Sequence, residues 1–286
     1  MSLIVARLID REVRIISDTK MVSHRTLYQT PLDGGLKCIV ISPTCCVSFS
    51  GNVHIAQQAL TQIMSNKSWS RSKITSHLLK QHLECECETD FIVTIVGENI
   101  SIDRICNGLL EEGLSSAWIG NHRAFETYQE NYHLESHKVQ NKYFLEERFL
   151  IAGIMSKAFE AVINDSSISS VDDFKICVTS WPAEEDGFRY LSRMFGSGFK
   201  TVTLTSEPTS LIQTLGAEGG SYHHSLLVPT LAGIGAIAVY IREARLGTLF
   251  YPAKSWNPIH FKNVNIVEFT DAIRNQFGIM VDGIRI

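Results

Sequence analysis

Few side chains in this sequence have a type and spacing suited to chemistry. The chain opens MSLIVARLIDREVRIISDTK, with Ser2 directly behind the initiator methionine and Asp18 sixteen positions further on. Lys37 stands in GGLKCIVI, and Gly51, in a Ser50-Gly51 step, follows fourteen positions later. A serine hydroxyl is a weak nucleophile and needs a base to take its proton. Taken singly, each residue has an ordinary explanation. Met-Ser is a common start, Asp18 suits a turn, Lys37 suits a strand edge, and Ser50-Gly51 suits a strand-to-helix turn. Other candidates are poorer. Cys85-Glu86-Cys87 has no zinc spacing and no histidine pair nearby to complete a site. His223 and His224 could be a ligand pair, but adjacent strand residues face opposite ways, and the pair is read as surface or loop. Gly233-Ile234-Gly235 lacks the strand–helix frame of a dinucleotide site. No metal or cofactor is expected.

The elements that would position these residues can be read from periodicity. Leu3 to Leu8 and Glu12 to Ser17 are β-rich runs around the turn Asp10-Arg11, and they predict a hairpin. Lys37 to Ile41 and Cys45 to Ser50 predict a second hairpin around Ser42-Pro43. After Asn52 the period changes. Val53, Ala56, Leu60 and Ile63 fall at helical spacing, and Ser70 caps a second predicted helix carrying Ile74, Leu78 and Leu79. Strands return at Asp90 to Val96 and Ile100 to Cys106, and again in AWIG, which ends at Gly120. Phe144 to Ile163 is the strongest helix, with Phe149, Ala152, Met155, Phe159 and Val162 on one stripe. Further strands are expected at Phe174 to Thr179, Gly187 to Met194, Thr201 to Thr205, Gly235 to Ile241 and Leu246 to Tyr251. A last helix is expected over Val267 to Phe277. Strands and helices come in blocks, which suggests sheet layers covered by helices, an α+β plan. A core is expected over residues 2–195. Residues 196–286 are expected to add strands to the same domain, since no Pro/Ser-rich linker separates them.

Composition narrows the partners. The 286 residues carry 26 basic and 30 acidic side chains, a net charge of -4. That balance gives no electrostatic reason to expect nucleic acid or an anionic membrane. The seven cysteines are an odd count in mostly apolar runs, so reduced thiols and a cytoplasmic location are expected. Arg7 interrupts the first apolar run too early for a signal peptide. The apolar stretch Leu226 to Ile241 is shorter than the ~20 residues of a spanning helix and contains Pro229, Gly233 and Gly235.

With these elements in order, the chain resembles a proteasome β-type or bacterial proteasome-like subunit of the N-terminal nucleophile (Ntn) hydrolases. That family begins its mature chain with threonine or serine and a short apolar strand. It closes the second strand with an aspartate, opens the next with a lysine, and has a Ser-Gly step before the first helix. Ser2 to Asp18 and Lys37 to Ser50-Gly51 are two matching separations. AWIG, ending at Gly120, resembles the glycine turn before the third helix. Asn164-Asp165-Ser166 with Ser169 resembles the Asp and Ser pair that supports the nucleophile from behind. The stretch between Asp18 and Lys37 is about three residues longer than is usual, a length that a loop absorbs without moving its ends. The resemblance covers roughly Ser2 to Arg193.

The resemblance implies a four-layer αββα sandwich with extra C-terminal strands. It implies removal of Met1, so that Ser2 carries its own free α-amine, whose pKa of about 8 leaves a good share neutral. Lys37 as a cation would lower that pKa further, and Asp18 would hold Lys37 in place. The Gly51 amide would donate to the oxyanion of the tetrahedral intermediate, glycine allowing the substrate to come close. Asp165 and Ser169 would support the site, and Phe49 would face the pocket for the residue before the cut bond. The implied reaction is amide hydrolysis, of peptide or protein substrates, through an acyl-enzyme on Ser2. The implied setting is a homo-oligomer, a ring or a related assembly, with an ATP-driven unfoldase as a further partner. Two alternatives stay open: an amidase acting on small molecules, and a non-catalytic ring or scaffold subunit.

Overall fold

The chain begins as a hairpin. β1 (Leu3–Ile9) pairs antiparallel with β2 (Glu12–Asp18), Ile4 opposite Ser17 and Ile9 opposite Glu12. Asp10 turns the corner with φ 54°, a left-handed state that aspartate tolerates better than most residues. The computed structural model describes residues 2–21, 34–66, 68–139, 147–171, 175–180, 187–190, 223–227, 235–241 and 245–279. A second hairpin joins β3 (Cys38–Ser42) to β4 (Cys45–Gly51). Asn52 then caps α1 (Val53–Met64), its Oδ1 accepting from the amides of His54 and Ile55. Ser70 caps α2 (Arg71–Glu84) as its sequence predicts. β5 (Thr89–Ile95), β6 (Ser101–Cys106), β7 (Leu109–Glu111) and β8 (Ser116–Gly120) come after it, then α3 (His122–Val139) and α4 (Glu147–Asn164). β9 (Lys175–Ser180) and β10 (Phe188–Tyr190) are next.

These strands form two five-stranded sheets, ordered β10-β9-β2-β1-β8 and β3-β4-β5-β6-β7. The paired strands are antiparallel throughout. The protein is thus a mixed α/β chain built on antiparallel sheets. Successive residues of a strand face opposite ways, so β1 feeds two cores. Ile4 and Ala6 join Val13, Ile15 and Val178 in a cluster shared with Val47, Phe91 and Val93 of the other sheet and with Leu60 and Leu78 of α1 and α2. Leu3 and Val5 point the other way, into a cluster with Tyr128 of α3 and Met155, Phe159 and Val162 of α4. A sheet buried on both faces needs a nearly continuous apolar run, which LIVARLI supplies.

A third sheet, ordered β11-β12-β13-β14, is built from β11 (His223–Leu227), β12 (Ile237–Ile241), β13 (Leu246–Tyr251) and β14 (Ser255–Lys262). Its faces also divide. Ala238, Tyr240 and Leu249 pack with Phe269 and Ile273 of α5 (Ile266–Phe277). Ile237, Val239, Leu246 and Phe250 enter the cluster between the first two sheets. Two close contacts fasten it. Trp256 Nε1 donates to Thr61 Oγ1 at 3.2 Å, and a Cβ on Gly235 would lie 2.2 Å from the Val40 carbonyl oxygen. β14 has no counterpart among the expected strands. Its partly buried, mixed sequence SWNPIHFK carries little alternation. The strand expected over Thr201 to Thr205, and the ends expected at Met194 and Phe144, lie outside the described residues. Among the described residues no helix is long and apolar enough to cross a membrane.

Candidate active site

The first hairpin brings residues distant in sequence to one spot. Pairing of β1 with β2 sets the end of β2 beside the start of β1, and the Leu3 amide donates to Asp18 Oδ1 at 3.3 Å. Lys37 enters from the other sheet, one residue before β3. Its carbonyl accepts from the Phe49 amide at 3.0 Å, which seats it against β4. The Lys37 Nζ then donates to Ser2 Oγ at 2.5 Å and to Asp18 Oδ2 at 2.7 Å. The Lys20 amide donates to Asp18 Oδ2 as well, at 3.1 Å. Ser2 is 6% exposed, Lys37 2% and Asp18 0%. A charge pair this deep holds only where its remaining hydrogen-bonding capacity is also met, and the two backbone amides on Asp18 meet part of it.

The longer stretch between Asp18 and Lys37 leaves this geometry intact because its ends are pinned together. The Gly35 amide donates to the Thr19 carbonyl at 2.8 Å. A Cβ on Gly34 would lie 2.1 Å from the same carbonyl oxygen. Residues 22–33 lie outside the described residues.

Gly51 ends β4 with φ +116°, and a Cβ there would lie 1.9 Å from the Glu88 carbonyl oxygen. The backbone therefore demands glycine for its own conformation and for the approach of the Glu88 carbonyl, before any substrate is considered. Gly120 repeats the theme at the end of β8. Its φ is +109°, and an added Cβ would meet the Ser2 carbonyl oxygen at 1.9 Å and Ser50 Oγ at 3.0 Å. The next amide, of Asn121, donates to the Ser2 carbonyl at 2.6 Å. Gly120 was legible as a glycine turn. The grip of Asn121 on Ser2 was not, because it is a main-chain contact that any residue type can make.

Asp165 and Ser169 sit in the loop after α4. The Asp165 carboxylate accepts from the Ser167 amide and hydroxyl at 2.9 and 2.6 Å, and the Ser167 hydroxyl holds it below the usual carboxylate range. Ser169 takes part through its carbonyl, which accepts from Lys20 Nζ at 2.8 Å. The loop is thus fastened two residues beyond Asp18 by main chain rather than by the two side chains singled out in the sequence. Phe49 is 1% exposed in the cluster between the sheets. It is a core residue rather than the expected pocket wall. Met1 lies outside the described residues.

Other nucleophiles near the site are quiet. Cys38 directly follows Lys37, but burial pushes its thiol up to about 11, against the smaller pull of Ser17, Ser48 and Lys37. A thiol so raised is not a thiolate at neutral pH. Cys85 and Cys87 belong to the turn after α2, where Glu86 and Cys87 have φ of 54° and 62°. Among the described residues no group of three or more His, Cys, Asp or Glu side chains is placed to hold a metal ion.

No protein-family model matches this chain. No curated protein matches it either. Among solved structures it is similar to an Anbu (Gly-1) mutant from Hyphomicrobium sp. strain MC1. The identity is 16%, the match covers 62% of this chain and 80% of that one, and the TM-score is 0.45. A likeness of that degree transfers no residue role to this chain.

Proposed function

We propose that this chain is an N-terminal serine hydrolase that cleaves amide bonds, peptide bonds among them, through an acyl-enzyme on Ser2. The observation that supports it is the buried bridge of Lys37 between Ser2 Oγ and Asp18. A lysine ammonium that donates to a serine oxygen stabilises the developing alkoxide, and a carboxylate behind it keeps the ammonium charged and aimed. With Met1 removed, the α-amine of Ser2 is the base that takes the hydroxyl proton. The Gly51 amide is assigned to the oxyanion. Asp165 and Ser169 enter as a loop that steadies the Asp18 end of β2 through Lys20. The two helix-covered, face-to-face sheets are read as an αββα sandwich of the Ntn type, with residues 196–286 as an extension on the same domain. A homo-oligomer presenting its sites to an interior, fed with peptide or protein, completes the proposal. An ATP-driven unfoldase is the partner that folded substrates would require.

The test is direct. Purified protein should have the intact mass of a chain lacking Met1. A peptide epoxyketone, which needs both a hydroxyl and an amine on one residue, should add once, at Ser2. Ser2→Ala should abolish the addition and leave the fold unchanged. A protein that retains Met1 and still hydrolyses amides, or full activity in Ser2→Ala, would overturn the assignment. A protein that retains Met1 and turns over nothing would support the scaffold alternative.

A further inference from the structure

Ser50 carries a buried hydroxyl that the proposed mechanism does not use. The residue is 3% exposed, and its Oγ makes no hydrogen bond among the described residues. Buried polar atoms are overwhelmingly paired in native proteins, so an orphan calls for a reason. Its position supplies one. The same point above Gly120 lies 1.9 Å from the Ser2 carbonyl oxygen and 3.0 Å from Ser50 Oγ, so these two oxygens are within 4.9 Å of each other. Ser50 therefore borders the backbone of Ser2. It also directly precedes Gly51, whose amide is assigned to the oxyanion. The Ser17 and Ser48 hydroxyls are also buried without a partner among the described residues, but they lie against the Cys38 thiol, and two further polar side chains are engaged elsewhere. Asp165 is taken up by Ser167, and Asn121 Oδ1 accepts from the Ala124 amide at the start of α3.

We infer that Ser50 is a positioning residue whose Oγ accepts a hydrogen bond from the α-amino group of Ser2. The inference rests on the proposed role of Ser2. In acylation the neutral amine takes the proton from Ser2 Oγ as the bond from Oγ to the substrate carbonyl carbon forms. The carbonyl electron pair moves to the oxygen. The new ammonium donates one N–H to Ser50 Oγ and so stays aimed at the reacting centre. It then returns the proton to the departing nitrogen as the C–N bond breaks, leaving an ester on Ser2 and a neutral amine product. A partner that accepts from the ammonium favours the charged form and raises the pKa of the amine.

Removing the acceptor lowers that pKa, and labelling requires the neutral amine. The acid limb of the rate–pH profile in Ser50→Ala should therefore move to lower pH, by roughly half a unit for one hydrogen bond. The experiment uses full-length protein and a peptide epoxyketone, followed by intact mass across the neutral range. Ser50→Thr, which keeps a hydroxyl, should restore the wild-type limb. Ser50→Cys, a weak acceptor of similar size, should fall between them. A merely structural role would lower the amount of labelled protein without moving the limb. An unmoved limb in either folded Ala or Cys variant, with the wild type labelled at Ser2, overturns the inference and leaves the reading of Ser2 standing. A wild type that has lost Met1 and is not labelled overturns both.

Discussion

At the scale of single residues, the site depends on a lysine that would be unaffordable without its partners. Lys37 is 2% exposed and donates to both Ser2 and Asp18. Replacing it with an apolar side chain of similar length leaves the Asp18 carboxylate, 0% exposed, without its counter-charge. Breaking one side of a buried ion pair costs about 3–5 kcal/mol. Lys37→Met should therefore lose about that much stability in urea, and its epoxyketone labelling should fall by about 10²–10⁴-fold. Asp18→Asn keeps the shape and removes the charge. It should hurt labelling nearly as much and cost stability as well, because Asp18 accepts from Leu3 through Oδ1 and from Lys20 and Lys37 through Oδ2, and the asparagine NH2 can replace neither acceptor. If Lys37→Met lost stability but labelled at the wild-type rate, Lys37 would be a structural cation only.

At the scale of elements, the charged pair of Arg71 and Asp103 is among the contacts that tie α2 to the second sheet, and it reports on pH. Arg71, the first residue of α2, donates from Nε and Nη2 to both oxygens of Asp103 on β6, each at 2.6 Å. Burial pushes the Asp103 carboxyl up, but Arg71, the Ser101 hydroxyl and the Gly113 amide outweigh it and leave the group below its ordinary value. A carboxyl with a lowered folded pKa adds stability that is fully present above its unfolded value of about 4, and that is lost as pH falls through the folded value. The Arg71 side chain is 38% exposed, so solvent screens part of the attraction. Arg71→Leu should cost about 1–2 kcal/mol at neutral pH. In urea titrations at several pH values, the gap between wild type and variant should close as pH drops below about 4. A gap independent of pH would place the cost in packing of the arginine stem instead.

At the scale of the whole molecule, the third sheet shares its core with the first two. Ile237, Val239, Leu246 and Phe250 sit in the same cluster as Ile4, Val47 and Phe91. Elements that share one core unfold together. Calorimetry should show one cooperative transition rather than an early loss of the C-terminal sheet. Two resolved transitions would mean that the extension is a domain of its own. The proposed assembly adds a second expectation. Light scattering should return a multiple of the 32.0 kDa chain mass, and a monomer over a wide concentration range would count heavily against an interior chamber.

The sequence alone determined the local elements around the site and the residue types within it. The hairpin of Leu3 to Ser17, the cap at Ser70, the stripe Ala152, Met155, Phe159 and Val162, and the final helix all arise from periods and cap residues that act over a few positions. The grouping of Ser2, Asp18 and Lys37 was legible only as a set of separations borrowed from a resemblance. What the tertiary structure decided were contacts between segments far apart in the chain. The pairing of β2 with β9 and of β1 with β8 places the loop after α4 and the turn at Gly120 against the first hairpin. The grip of Asn121 on the Ser2 carbonyl and of Lys20 on the Ser169 carbonyl uses main-chain acceptors, which leave no mark on residue type. The burial of Phe49 likewise depends on which layer covers that face of β4, and strand alternation alone does not say which side is core. Ser50 shows the limit most clearly. A serine before a glycine is ordinary in any sequence, and it becomes a candidate only when packing from three separate segments leaves its hydroxyl beside Ser2 with no partner among the described residues.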